Sequence, residues 1–89
     1  MDHRQKIIEV LNKSIADIFM EDADFIAANH EMKFRTNLKA TSMQYYPLIS
    51  EIEEQLDIEL DAHDFQYKAH TIAEAVDYVH NAYNAQKGN

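Results

Sequence analysis

Ser42 stands where an irregular stretch of chain gives way to an amphipathic one, in the run Ala40-Thr41-Ser42-Met43. A hydroxyl at a helix start is an ordinary cap, accepting one of the backbone N–H groups that the first turn leaves unpaired. Beyond it lies a run of acids, Glu51, Glu53, Glu54, Asp57, Glu59, Asp61 and Asp64, with no Lys or Arg between Lys39 and Lys68. Such a run is either a solvated helix face or a surface that steers a basic partner into contact. Two other chemistries fit poorly. His3, His30, His63, His70 and His80 include no pair at the four-residue helical spacing that a zinc site uses, and cysteine is absent, so no metal site is expected. Asp and Glu are abundant, yet nothing points to a cleft that could drive two carboxyl pKa values apart, so the chain is not expected to be an enzyme.

These residues must be positioned by helices. Ile8, Leu11, Ile15 and Ile18, widened by Ile7 and Phe19, recur at three- and four-residue steps and predict a helix over about 3–19, with Asp2 as its cap. Periodicity then lapses, and 20–41 reads as a long loop with a short helical turn near Phe25 to His30, pinned to the core by Phe34 and Leu38. Met43, Tyr46, Ile49, Ile52 and Leu56 restore the pattern and predict a helix over 42–57, capped by Thr41 or Ser42. Pro47 inside it removes one backbone hydrogen bond and crowds the Met43 carbonyl, which predicts a kinked or late-starting first turn. A short helix over 62–68 follows. Thr71 and Glu74, in capping-box spacing, then open a last helix over 71–84 with Ile72, Ala75, Val76, Val79 and Tyr83 on one stripe, leaving 85–89 as a tail. The expected architecture is all-α, a small bundle of three long helices and a short one in a single domain over 1–89.

Bulk composition limits function further. Eighty-nine residues bury only roughly 60% of their unfolded surface, too little for a deep self-contained active site. A single Gly and a single Pro disfavour hairpins. A formal net charge of −8 would repel a nucleic-acid backbone. No apolar run approaches the roughly 18 residues needed to cross a bilayer, and the first residues do not form a signal-peptide core, so a cytoplasmic monomer is expected.

The stretch Phe34-Arg-Thr-Asn-Leu38-Lys-Ala-Thr41-Ser42-Met43 resembles the attachment-site motif of acyl carrier proteins, in which a modified serine follows a Leu by four residues and an aromatic by eight. The resemblance continues through Tyr46, Leu48, Ile49, Ile52, Glu53, Glu54, Leu56, Asp57, Ile58, Glu59 and Leu60. After one inserted residue it resumes at His70-Thr71-Ile72 and runs on to Tyr83, while the first helix is similar only in type. Thr41 stands where the family commonly has Asp, Lys39 where it has Gly, Met43 where it has Leu, and Gln44 and Pro47 where it has acids. These changes thin the negative charge around the serine and imply a divergent or specialised member.

What the resemblance implies is a carrier of the acyl carrier type, with a long loop between its first two long helices and a 4′-phosphopantetheine arm on Ser42. A phosphopantetheinyl transferase would attach the arm from coenzyme A, and the arm would hold acyl or related intermediates as thioesters for fatty-acid, polyketide or related synthesis. Thr41, Met43, Glu51, Glu53, Glu54 and Asp57 would dock acyl- or ketide-processing enzymes with basic surfaces. Tyr46, Ile49, Ile52, Leu56, Ile58 and Leu60, core residues first of all, would form the wall that parts for a tethered acyl chain. A phosphodiester at a helix N-terminus would be favoured by about 0.3 to 1 kcal/mol, because the unpaired N–H groups and the positive dipole end both face it. Two alternatives share the fold: an unmodified interaction module, and a carrier of aminoacyl or D-alanyl cargo.

Overall fold

Wherever apolar residues recur at helical spacing, the chain forms a helix. The computed structural model describes residues 3–87. Among them are five helices, α1 (Arg4–Phe19), α2 (Ala23–Ala28), α3 (Ser42–Leu56), α4 (Ala62–Lys68) and α5 (Ile72–Lys87), and no strand. The result is an all-α bundle in which α1 packs on α2, α3 and α5, and α4 bridges α3 and α5. Asp2, the cap expected for α1, lies outside the described residues; His3 occupies the N-cap position without a side-chain bond.

Three features differ from the sequence reading. The short helical turn expected near Phe25 to His30 is a helix that starts earlier, at Ala23, because Asp22 is a cap: its carboxylate accepts the Asp24 N–H at 2.9 Å. Pro47 does not delay α3, which runs unbroken from Ser42 to Leu56 with Pro47 on its exposed side. The helix instead forgoes one bond to the Met43 carbonyl. At the far end α5 continues to Lys87, so 85–87 are helix and not tail. Gln86 fastens that turn, donating to the Glu59 carbonyl at 2.6 Å and accepting the Glu59 N–H at 2.7 Å.

The core takes Ile7, Leu11 and Ile15 from α1, Ile26 from α2, Leu48, Ile49, Ile52 and Leu56 from α3, and Ile72, Val76 and Val79 from α5. At the α3–α4 end its centre is aromatic. Phe34, from the long connection, packs at 5.9 Å from Tyr45, 6.0 Å from Phe65 and 6.2 Å from Phe19, ring centre to ring centre, and Phe65 meets Tyr78 edge-on at 5.4 Å. The Tyr78 hydroxyl donates to Asp64 at 2.8 Å; burial, then that bond, push its pKa up to about 12.

The segment 29–41, although without regular structure, is fastened at several points. The carbonyls of His30 and Met32 accept the N–H groups of Ala73 and Ile72 at the start of α5, and Phe34 donates to the His70 carbonyl at 3.0 Å. The first turn of α5 is thereby satisfied partly by a distant piece of chain and partly by its own capping box, in which Glu74 accepts the Thr71 and His70 N–H groups at 3.0 Å and Thr71 Oγ1 accepts the Glu74 N–H at 3.1 Å. His30 also reaches α1, its Nε2 lying 2.7 Å from Asn12 Oδ1.

Burial holds the His30 pKa below its ordinary 6.5, against a smaller opposing pull from Glu31. The unfolded chain then takes up a proton on this ring at a higher pH than the folded one. The contribution of neutral His30 to stability is therefore complete above about pH 6.5 and is lost as pH falls below it. Denaturation midpoints measured from pH 7 to pH 5 should fall more steeply for the wild type than for His30→Gln; parallel curves would remove His30 from the account.

Lys39, just before the site, has φ 56°, in the left-handed region that costs a residue with a Cβ roughly 1–2 kcal/mol. This is where carriers of the resembling family place Gly. Lys39 is exposed, so exchanging it for glycine removes the strain without removing packing. Lys39→Gly is expected to stabilise the fold by about 1 kcal/mol, since glycine's larger unfolded-state entropy offsets part of the gain. The thermal midpoint should rise by about 4–8 °C. A midpoint that stays level or drops would show that the side chain stabilises the turn in some other way.

Candidate functional site

Ser42 is the first residue inside α3, and the cap position is filled by Thr41, whose N–H is accepted by Gln44 Oε1 at 2.9 Å. Capping is thus carried by Thr41 and Gln44, and the exposed Ser42 hydroxyl is left for other chemistry. What reaches it is a cation: Arg35 Nη2 donates to Ser42 Oγ at 3.4 Å, a long bond. The same Nη2 donates to Gln66 Oε1 on α4 at 3.2 Å, and the guanidinium carbon lies 5.4 Å from the Tyr45 ring centre. Burial pushes the Tyr45 hydroxyl pKa up, and the Arg35 charge and hydrogen bonding pull against it.

Arg35 is the site residue that sequence reasoning missed. It sits in an irregular segment, where no periodicity says which way a side chain points. Its position directly after Phe34, an aromatic expected to be buried, was the available signal: a neighbour of an anchor cannot drift far.

The six expected docking residues do not form one acidic face. Thr41 and Met43 lie exposed beside Ser42, and the outer stripe of α3 continues through Tyr46, Pro47 and Ser50, all without charge, before reaching Glu54 and Asp57. Glu51 and Glu54 border a cleft of about 340 Å³ that is also lined by Lys6 and Lys13 of α1. Glu53 is engaged within the fold, accepting the Leu60 N–H at 2.7 Å, and Asp57 pairs with Lys87 at 3.2 Å. Further along the run, Asp61 caps α4 by accepting the His63 and Asp64 N–H groups. Much of the acidity is thus spent on local structure.

The apolar stripe also needs correction. Ile49, Ile52, Leu56 and Ile58 are buried and Leu60 is partly so, but Tyr46 is 58% exposed and Met43 76%, while Tyr45 is 1% exposed. The buried aromatic of α3 is therefore Tyr45, and Tyr46 cannot line an interior wall in this arrangement. Periodicity could not separate two adjacent tyrosines; packing against Phe34 and Phe65 does. The five histidines are dispersed, and the described residues hold no cluster of three or more His, Asp or Glu suited to a metal ion.

An exposed serine at the mouth of a helix, preceded by a long anchored segment in an all-α bundle, is the arrangement of a carrier domain. A family model described as "Phosphopantetheine attachment site" matches residues 5–79. The chain therefore belongs to the phosphopantetheine-binding carrier family, whose members bear a covalent 4′-phosphopantetheine group, receive it from a phosphopantetheinyl transferase and are not themselves catalysts. The match takes in α1, which by sequence resembled the family only in type. No curated protein matches the chain. The residues fit the group: an exposed hydroxyl on a fixed helix start, the Ser42 and Met43 N–H groups at the positive end of the helix and an adjacent guanidinium suit a phosphodiester. No helix of the described residues is long and apolar enough to cross a membrane.

Proposed function

We propose that Ser42 is the attachment residue and that the chain presents thioester-linked acyl or related intermediates to enzymes of fatty-acid, polyketide or related synthesis. The observation that carries this reading is the exposed Ser42 hydroxyl, relieved of capping by Thr41 and Gln44 and faced by Arg35. In loading, Ser42 Oγ forms a bond to the phosphorus of coenzyme A that bears the pantetheine. Adenosine 3′,5′-bisphosphate leaves as the pyrophosphate P–O bond breaks, and the serine proton passes to the transferase. The group, once bound, supplies a terminal thiol for the cargo. The chain's own part is to hold the oxygen at a fixed place outside the bundle.

The cargo in this proposal stays outside as well. Phe34, Tyr45 and Phe65 pack on one another and Phe65 on Tyr78 at the α3–α4 end of the core, which favours cargo that does not need an apolar interior, short acyl or aminoacyl groups included. Docking in this reading uses Thr41, Met43 and Tyr46 near Ser42, with Glu54 and Asp57 farther along α3, so association with partner enzymes should depend only weakly on salt. The interaction-module alternative would rest on the same exposed Met43 and Tyr46 with no arm present.

Incubation with coenzyme A and a promiscuous phosphopantetheinyl transferase, followed by intact-mass measurement, tests the reading. The chain should gain one phosphopantetheine, and peptide mapping should find it on Ser42. A chain that stays unmodified while ordinary carriers are converted, yet still captures a partner, would favour the module.

A further inference from the structure

Arg35 has a geometry that capping and packing do not account for. Its backbone is fixed by Phe34, whose N–H is bonded to His70 and whose carbonyl accepts the Ala40 N–H at 2.8 Å. Its guanidinium is held by Gln66 on one side and by the Tyr45 ring on another, and among the described residues no carboxylate pairs with it. An exposed arginine held beside a hydroxyl by two neutral groups keeps its charge uncancelled. Its bonds to Ser42 and Gln66 both leave from Nη2, and the Tyr45 hydroxyl engages the same guanidinium, so part of the five-donor fork remains for other acceptors. The start of α3 adds no competitor: Thr41, Gln44 and Pro47 are neutral, and the first acid along α3 is Glu51; on α4, Asp64 is engaged by Tyr78 and Lys68, and Asp61 caps the helix.

We propose that Arg35 is the positioning residue of the arm: its guanidinium holds the phosphodiester on Ser42 and directs the arm toward α4, past Gln66. This rests on Ser42 being the attachment residue. A guanidinium matches two phosphate oxygens at once, which a lysine ammonium cannot do. Such a hold would also explain why a carrier with little acid near its serine keeps a cation there. The charge meets the phosphate and leaves the neutral outer face of α3 to partners.

The test compares loaded wild type, Arg35→Gln and Arg35→Lys by phosphorus NMR, after intact mass has shown the arm present in each. The wild type should give a broadened phosphodiester line displaced from that of a free phosphopantetheine diester. In Arg35→Gln the line should narrow and return toward the free position, and Arg35→Lys should fall between. Should the glutamine variant fail to fold, Arg35→Lys carries the comparison alone, and its line must differ from the wild type's. Loaded proteins with coincident lines overturn the role of Arg35 and leave Ser42 standing. A wild type that gains no mass overturns the attachment reading, and this proposal with it.

Discussion

Ser42→Ala is expected to gain no mass from coenzyme A and the transferase, whereas Ser50→Ala gains the same increment as the wild type. The chain has three serines, and they are distinguished by environment. Ser14 is 1% exposed in the core, which no transferase reaches. Ser50 is exposed on α3 but lies two turns from the helix start, without the unpaired N–H groups or Arg35. Because Thr41 and Gln44 cap the helix, removal of the Ser42 hydroxyl should change stability by no more than about 0.5 kcal/mol, the range of ordinary surface substitutions. Loss of loading in a chain with an unchanged denaturation curve would therefore be chemical and not structural. An arm found on Thr41 or Ser50 of the variant would reassign the site.

Phe34→Ala should have the largest effect on folding, about 3–5 kcal/mol. The ring touches aromatic side chains from α1, α3 and α4, so its loss opens a void among rigid neighbours that cannot collapse into it. Domains of this kind are stable by only about 5–15 kcal/mol, so the variant should sit near its unfolding transition. Urea denaturation would read the loss, with Phe25→Ala as control, since Phe25 is 47% exposed. A Phe34→Ala penalty below about 1 kcal/mol would mean that the aromatic cluster does not anchor the segment.

Much of this was legible in the residues. Period-3.6 apolar spacing located α1, α3 and α5, because each is long enough for a stripe to repeat several times. Of α2 it gave only a short turn near Phe25 to His30 and not the start at Ala23, because six residues present one buried side chain, Ile26, and the cap Asp22 looks like any other polar residue. On α3 the stripe holds at Ile49, Ile52 and Leu56 and departs only at its start, where Met43 and Tyr46 continue the spacing backward but the core is filled by Tyr45 and Leu48. The place of Ser42 at the start of α3 was legible from its position, and the acids only as a charge run. That Glu53, Asp57 and Asp61 would be consumed by an N–H group, a lysine and a helix cap depends on where the chain turns next. Arg35 depends on the path of an irregular segment, which local sequence does not encode.

The fastening of 29–41 to α5 bears on how a partner is met. Left loose, a connection of this length would have to be ordered at the moment of docking, with a loss of backbone entropy of about 1–2 kcal/mol for each residue fixed. Here the His30, Met32 and Phe34 backbone bonds settle that loss when the chain folds. The ground on which Ser42 stands is preorganised, and an incoming enzyme has only the arm itself left to immobilise.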